Sequence, residues 1–268
     1  MTVARRLVAD YRRSFFWWSV AMVVLVGSTV ALWPSIRGQK QLEDLMRDLP
    51  EALQGLFGGG KGISFISPPG YLQSRLFSLL LPVLLLVFGI GIGARAVGGA
   101  EETGALELLL AHPVSRARVA GERYAAMVGL LVGLALVALL SLLAMSPAVG
   151  LLKGVSVGHL LWAGAAALAI ALLHASLAFA VGCASGRRGA AITVAGAVAV
   201  AGYVLQGLIA ASDSLRPARF VSPWHWYLEH NLLVDGPGFQ ALVLPLVLSA
   251  VVTLAGAWVF LRRDLRLP

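Results

Sequence analysis

The chain has 268 residues, of which 59% are hydrophobic and only 13% are charged, and its mean hydropathy is +0.84. Water-soluble domains are about 25% charged and about 45–50% apolar, so this composition excludes a soluble globular protein. The net charge of +8 does not indicate nucleic-acid binding, because the basic residues stand in short clusters between apolar runs. The lone cysteine, Cys183, excludes a disulfide framework and a cysteine-rich metal site within one chain. We therefore predict an all-α polytopic membrane protein.

The first segment, residues 1–14, is basic and carries Leu7, Val8 and Tyr11 at helical spacing. This pattern is typical of a short helix lying in the membrane interface, and a cytoplasmic tail with topogenic charges fits it equally well. Residues 15–33 follow as the first span. They are long enough to cross a hydrocarbon core of about 30 Å, and tryptophans stand near both ends.

Residues 34–75 form the longest polar segment, predicted to be extracytoplasmic. Leucines at three- and four-residue spacing, interrupted by Pro50, predict one or two amphipathic helices here. Residues 55–61 match G-x-x-x-x-G-K, the start of a phosphate-binding loop. The match is incomplete, because Gly62 stands where a Ser or Thr would bind Mg²⁺ and no strand precedes it, so we interpret the glycines as a flexible joint.

Five further apolar segments are long enough to span a membrane, at residues 76–94, 125–145, 159–184, 190–211 and 241–261. Pro82 predicts a kink in the second of the six spans, which neighbouring helices can accommodate. Residues 212–238 are irregular and rich in aromatic residues. They predict a broken helical segment before the last span, re-entrant or interfacial.

The distribution of basic residues predicts the orientation. Six spans place both termini and two of the connecting segments (94–124 and 186–189) on one side, with thirteen Lys and Arg residues. The other three connecting segments hold eight, over a much greater length. The positive-inside rule therefore makes the first side cytoplasmic.

The connecting segment 94–124, which we call the insert, carries four of the 13 acidic residues between two apolar spans. Gly98 and Gly99 are expected to end the helix that leaves the second span. A short helix is then expected to begin at Glu101, since acidic residues in a first turn favour helix formation, and to stop before Pro113, which lacks a donor.

The insert also has an apolar face. Leu106, Leu109 and Leu110 fall on one side of the predicted short helix, and Ser115 is placed to cap the helix that follows. An ordinary charged loop would satisfy the positive-inside rule too, but it needs neither this face nor paired glutamates. We therefore expect the insert to be a docking surface.

The sequence of residues 101–116 fits E-E-x-G-x-L-E-x-L-L-x-x-P-V-S-R. This pattern resembles the cytoplasmic signature of ABC-2 type transporter permeases, which carry it between their second and third spans. The layout of the whole chain is similar to that family as well, as are the short pieces at residues 49–53 and 67–72. The resemblance covers a basic N-terminal helix, six spans and a broken segment before the last span.

The resemblance implies a dimeric permease, with a second copy or a paralogue, bound to cytosolic ABC ATPase subunits. It implies that this chain needs no cofactor, while ATP and Mg²⁺ are used by the partner subunit. In the family the short helix of the insert is a coupling helix that sits in a groove of the ATPase. The residues that match the motif are Glu101, Glu102, Gly104, Leu106, Glu107, Leu110, Pro113, Ser115 and Arg116.

We therefore expect the permease subunit of an ATP-driven exporter, multi-pass in a bacterial plasma membrane, in contact with lipids and without enzymatic activity of its own. Export is implied by the resemblance. The residues independently indicate an external energy source, because no phosphate loop is complete and no carboxylate lies within a span. A pathway lined by Ala, Leu, Gly and Val suits a hydrophobic or amphipathic substrate.

Two polar residues within spans are candidate pathway residues, since intramembrane polar groups are functional hypotheses by default: His174 in the fourth span and Gln206 in the fifth. A neutral histidine bonded to a neighbouring helix explains His174 as well. An intramembrane enzyme using His174 or the region from His225 to His230 is the alternative function, and a non-transporting scaffold is another. We predict no metal site at these histidines.

Overall fold

The computed structural model describes residues 3–39, 48, 64, 66–111, 113–211, 213–229, 231–236 and 238–264. Its helices in chain order are α1 (Val3–Ile36), α2 (Pro68–Leu72), α3 (Leu80–Ala94), α4 (Ala100–Glu102), α5 (Ala105–Leu110), α6 (Arg116–Met145), α7 (Val157–Ser185), α8 (Arg188–Ala211), α9 (Pro223–Leu228) and α10 (Phe239–Arg262). Two π-helical turns, Gln73–Phe77 and Arg95–Gly99, flank α3. These ranges contain no β-strand, which confirms the all-α class.

Six helical segments within the described ranges are long and apolar enough to cross a membrane, as predicted. We number them spans 1 to 6: Leu7–Ile36, Pro68–Glu102, Arg116–Val149, Val157–Ser185, Arg188–Ile209 and Phe239–Arg262. Most are longer than the apolar runs in the sequence, because the helices continue into the flanking polar residues.

The first helix, α1, joins two pieces that the sequence pattern separated. The predicted interfacial helix at residues 1–14 and the predicted span at 15–33 are continuous, since no glycine or proline interrupts residues 3–26. Leu7 and Tyr11 are buried against the rest of the bundle. The basic segment is thus an extension of span 1.

Span 4 is the centre of the bundle. It packs most extensively against spans 2 and 6 and also against span 5, while span 1 packs against span 3. Small residues make this possible: a Cβ at Gly93 would lie 2.4 Å from the Ala175 carbonyl oxygen, and one at Gly256 would lie 2.5 Å from Ala180 Cα. The backbones approach so closely because these positions have no side chain.

Span 2 is irregular near Pro82, as predicted. The irregularity lies three residues earlier, at Leu79, where φ is −140° and the π-helical turn gives way to α3. Proline lacks an N–H, and its ring crowds the carbonyl group four residues before it, so the helix is disturbed upstream of Pro82.

The segment before span 6 is broken into a 3₁₀-helical stretch, Asp213–Val221, and the short helix α9. It packs onto the bundle: Trp224 Nε1 donates to the Ala199 carbonyl at 3.1 Å, and the Tyr227 hydroxyl donates to the Phe77 carbonyl. Burial raises the pKa of the Tyr227 hydroxyl, which keeps this donor protonated. The amphipathic helices and the flexible joint predicted between residues 40 and 63 fall almost entirely outside the described residues.

Candidate functional site

The insert begins differently from the sequence-based expectation. The helix of span 2 continues through the π-helical turn Arg95–Gly99 into α4, so the break predicted at Gly98 and Gly99 is wrong. Gly98 instead permits a close contact, since a Cβ there would lie 3.0 Å from the Arg187 carbonyl carbon. The chain turns at Gly104, whose φ of 67° is left-handed and favours glycine.

Because the helix continues, Glu101 and Glu102 end span 2 and do not begin the short helix. Carboxylates at a helix C-terminus oppose the helix dipole and need partners. Glu102 Oε1 accepts a hydrogen bond of 3.0 Å from the backbone N–H of Arg188. That N–H is at the start of α8, where the dipole favours a negative charge.

Glu101 forms an ion pair with Arg263 at the end of span 6. The glutamate is buried, with 4% of its surface exposed, and its Oε1 accepts from Arg263 Nη1 at 2.7 Å while Oε2 accepts from Nη2. Arg263 Nε also donates to the Cys183 carbonyl at 2.6 Å, at the end of span 4. A Cβ at Gly186 would lie 2.6 Å from Glu101 Oε1, so only glycine leaves room for this carboxylate. The bidentate pair therefore joins the ends of spans 2, 4 and 6.

The start of span 3 is bonded to the same group of residues. Arg116 Nη1 donates to the Arg263 carbonyl at 2.6 Å. Ser115 Oγ accepts from the Arg118 backbone N–H at 3.3 Å, which confirms its predicted role as the cap of α6. The insert, the turn before α8 and the end of span 6 thus lie at one end of the bundle.

The short helix α5 packs its leucine face inward. Leu106 is fully buried, and Leu109 and Leu110 are half-buried against the core, as the spacing predicted. Leu108 lies on the other face and is 73% exposed. Leu108 stands at a variable position of the motif, so the sequence pattern did not single it out.

The remaining motif residues lie along the outside of the insert. Glu107 is half-buried in α5, and Pro113 is exposed in the non-helical segment that leads to Ser115. His112 lies outside the described residues.

The two candidate pathway residues bond to different partners. His174 is 1% exposed in span 4, and its Nδ1–H donates to the Ile170 carbonyl at 2.8 Å. Gln206 Oε1 accepts from His225 Nδ1 at 3.1 Å, linking span 5 to α9. His225 Nε2 and Glu229 Oε2 are 3.7 Å apart, and the described residues hold no group of three or more potential metal ligands.

An apolar groove of about 460 Å³ lies between spans 2 and 5. Its walls are residues of both spans, and Trp224 of α9 forms part of its lining. A Cβ at Gly91 or at Gly196 would meet no atom within 4 Å, so these glycines widen the groove. Neither His174 nor Gln206 lines it, and the sequence pattern missed it, although paired glycines on two spans were a usable signal.

Six apolar helices around a buried small-residue core, with a charged insert bonded to one end, define a polytopic α-helical membrane protein. Residues 1–265 match the family described as ABC-2 family transporter protein, and the chain belongs to this family. A comparison with curated protein sequences finds no match.

Proposed function

We propose that this permease is the membrane subunit of an ATP-driven exporter. A separate cytosolic ATPase, which uses ATP and Mg²⁺, binds α5 and its flanking motif residues and transmits its conformational change to the permease through them. The observation that carries the proposal is the position of α5: Leu108 points outward while both ends of the insert are bonded to the bundle. An exposed leucine on a fixed, short helix is suited to fill an apolar groove of a partner.

The hydrogen bonds next to α5 connect it to several spans, so that a displacement of α5 can be transmitted to them. A displacement of α5 acts directly on span 2, on span 6 through Glu101 and Arg263, and on span 5 through Glu102 and the Arg188 backbone. Charge-assisted hydrogen bonds of this kind are stronger than neutral ones. Rigid-body shifts of packed helices are an established way of passing such a displacement on.

The groove between spans 2 and 5 supports the substrate class. Its walls are apolar, and it lies beside the spans that the insert would move. We propose that it forms part of the pathway for a hydrophobic or amphipathic molecule. We also propose that the permease works as a dimer with a second copy or a paralogue, which packs on a face other than this groove. We propose that both termini face the cytoplasm of a bacterial cell and that the spans cross its plasma membrane, and the basic residues of the insert and of the turn before α8 support this orientation.

The test is the replacement Leu108→Asp. The tagged permease is purified from its native host in mild detergent, and the Mg²⁺-dependent, vanadate-sensitive ATPase activity bound per permease is measured. We expect Leu108→Asp to lower the bound activity roughly tenfold or more, because a charge would enter an apolar contact.

The matched control is Val157→Asp, the same kind of change at a residue that is 56% exposed at the opposite end of the bundle. Val157→Asp should retain the ATPase activity. Leu106 does not serve as a docking probe, because its replacement disturbs a buried contact. Equal ATPase activity in both variants, with the permease still inserted, would contradict docking at α5.

A further inference from the structure

The apolar groove between spans 2 and 5 continues toward the charged end of the bundle. A second pocket of about 230 Å³ adjoins it, and the two share Val87 and Gly91 as lining residues. This second pocket has an apolar part formed by Trp18 and Phe88 and a polar part formed by Tyr11, Ser14, Arg95 and Arg188. One continuous surface thus leads from an apolar groove to a basic end.

Two arginines converge at that basic end. A Cβ built at Gly99 would lie 3.3 Å from Arg95 Cγ and 3.5 Å from Arg188 Cδ, so both side chains pass over the same glycine. In the described part of the chain neither guanidinium forms an ion pair with a carboxylate. Arg188 Nε is buried and has no hydrogen-bond partner there.

The carboxylates nearby leave the end basic. Asp10 and Glu102 line a neighbouring polar pocket with Arg95, Arg123 and Arg188. Glu102 is already bonded to the backbone N–H of Arg188. Among the described residues, none that lines the pocket adjoining the groove is a carboxylate. The Arg95 guanidinium lies over the Tyr11 ring, 5.9 Å from its centroid, and like Arg188 it has no ion-paired carboxylate among the described residues. Two such guanidinium groups are suited to bind a phosphate.

We infer that this site binds an anionic phospholipid, with its phosphate at Arg95 and Arg188 and one acyl chain in the groove between spans 2 and 5. The distance along the helix from Leu79 to Arg95 is roughly 20 Å or more, from the rise of about 1.5 Å per residue. That length accommodates a chain from one leaflet, whose share of the hydrocarbon core is about 15 Å.

The charge at the end of the groove favours a lipid over the other occupants. Free phosphate would not use the apolar walls. A second copy of the chain placed on the groove by a two-fold axis would bring the arginines of both copies to one interface, which is unfavourable. The lipid site does not require transport or an ATPase, so it can be tested on the purified chain.

The experiment uses the full chain, purified and stripped of lipid, in a neutral detergent. Phosphatidylglycerol and phosphatidylcholine with the same acyl chains are added, and bound lipid is counted by native mass spectrometry. We expect phosphatidylglycerol to bind more tightly. The double variant Arg95→Gln, Arg188→Gln should weaken phosphatidylglycerol binding roughly 10- to 30-fold, since each arginine near an anionic headgroup contributes a factor of about five. It should leave the binding of phosphatidylcholine nearly unchanged.

The matched charge control is Arg187→Gln. Arg187 is an exposed arginine on the same turn, and this variant should bind phosphatidylglycerol as tightly as the unmodified protein.

A second pair of variants tests the groove. A Cβ at Gly196 meets no atom within 4 Å, so Gly196→Leu fills the groove and should weaken the binding of both lipids. Gly129 on span 3 also has no atom within 4 Å of its Cβ, and Gly129→Leu should leave the binding of both lipids unchanged. These glycine variants keep the test decisive if the arginine variants are unstable.

Three results would overturn the inference. The first is equal binding of both lipids. The second is displacement of phosphatidylglycerol by millimolar inorganic phosphate to the same extent from the Gly196→Leu variant and from the unmodified protein. That result would indicate a site for free phosphate. The third is efficient crosslinking between two copies through Gly196→Cys in a Cys183→Ser background, which would show that a second copy covers the groove.

Discussion

Glu101 shows how one side chain of a motif can have a structural task that its place in the motif does not reveal. Glu102 follows it in the motif, yet the two carboxylates have different partners. Glu101 is buried against Arg263, while Glu102 accepts a hydrogen bond from the backbone N–H of Arg188. Arg263 in turn bonds the Cys183 carbonyl. Removing either member of the ion pair would take this bidentate contact away from the charge that remains, and breaking a buried pair in this way costs about 3–5 kcal/mol.

We therefore expect Glu101→Gln and Arg263→Gln each to lower the thermal stability of the permease in detergent by several degrees. The double variant should be less damaging than the sum of the two, because the second change removes the charge that the first left behind. Thermal unfolding followed by size-exclusion fluorescence measures this. Arg262→Gln is the control, since Arg262 is exposed and stacks over Trp258. Strictly additive losses would contradict a coupled pair.

Among the helices, span 4 decides the packing, and glycines on its neighbours decide how near they come. Gly91 and Gly93 lie two residues apart on span 2 and have opposite surroundings. A Cβ at Gly93 would collide with the backbone of span 4, at 2.4 Å from the Ala175 carbonyl oxygen, whereas one at Gly91 enters the open groove. Backbone cannot move aside as the tip of a flexible side chain can.

Gly93→Ala should therefore destabilise the permease by about 1–3 kcal/mol or more, because it forces spans 2 and 4 apart. Gly91→Ala, the same change two residues away, should alter the free energy of unfolding by no more than about 0.5 kcal/mol. Thermal unfolding in detergent separates the two. If the two variants were equally stable, the close contact between spans 2 and 4 would be refuted.

The insert, the turn at Arg187 and the end of span 6 are bonded together at one end of the bundle, which we call the charged end. The loop between spans 3 and 4, which carries Lys153, belongs to the opposite end by the alternation of the spans. The greater number of Lys and Arg residues on the insert side predicts that this end is cytoplasmic.

Orientation can be measured with single cysteines in a Cys183→Ser background. We expect Lys153→Cys to react with a membrane-impermeant maleimide on spheroplasts, and Arg187→Cys and Leu108→Cys to react only after the membrane is permeabilised. All three residues are exposed, and Arg187→Cys remains a reporter if a partner covers Leu108. The reverse labelling pattern would show that the charged end faces outward.

Much of the fold could be read from the chain. A run of about 20 apolar residues has few alternatives to a membrane-spanning helix, so six spans followed from composition and spacing alone. The inward leucine face of α5 and the Ser115 cap followed equally, because helical periodicity and capping act over three or four residues.

Other features depend on contacts between residues far apart in the sequence. Gly98 and Gly99 looked like helix breakers, but a glycine is also required wherever two backbones meet, and only the position of Arg187 shows which role applies. The partner of Glu101 is 162 residues away in Arg263, and the groove between spans 2 and 5 needs both helices in place. Local periodicity therefore established the helices and their number, whereas the packing around span 4 decided which charges pair and where an apolar molecule could lie.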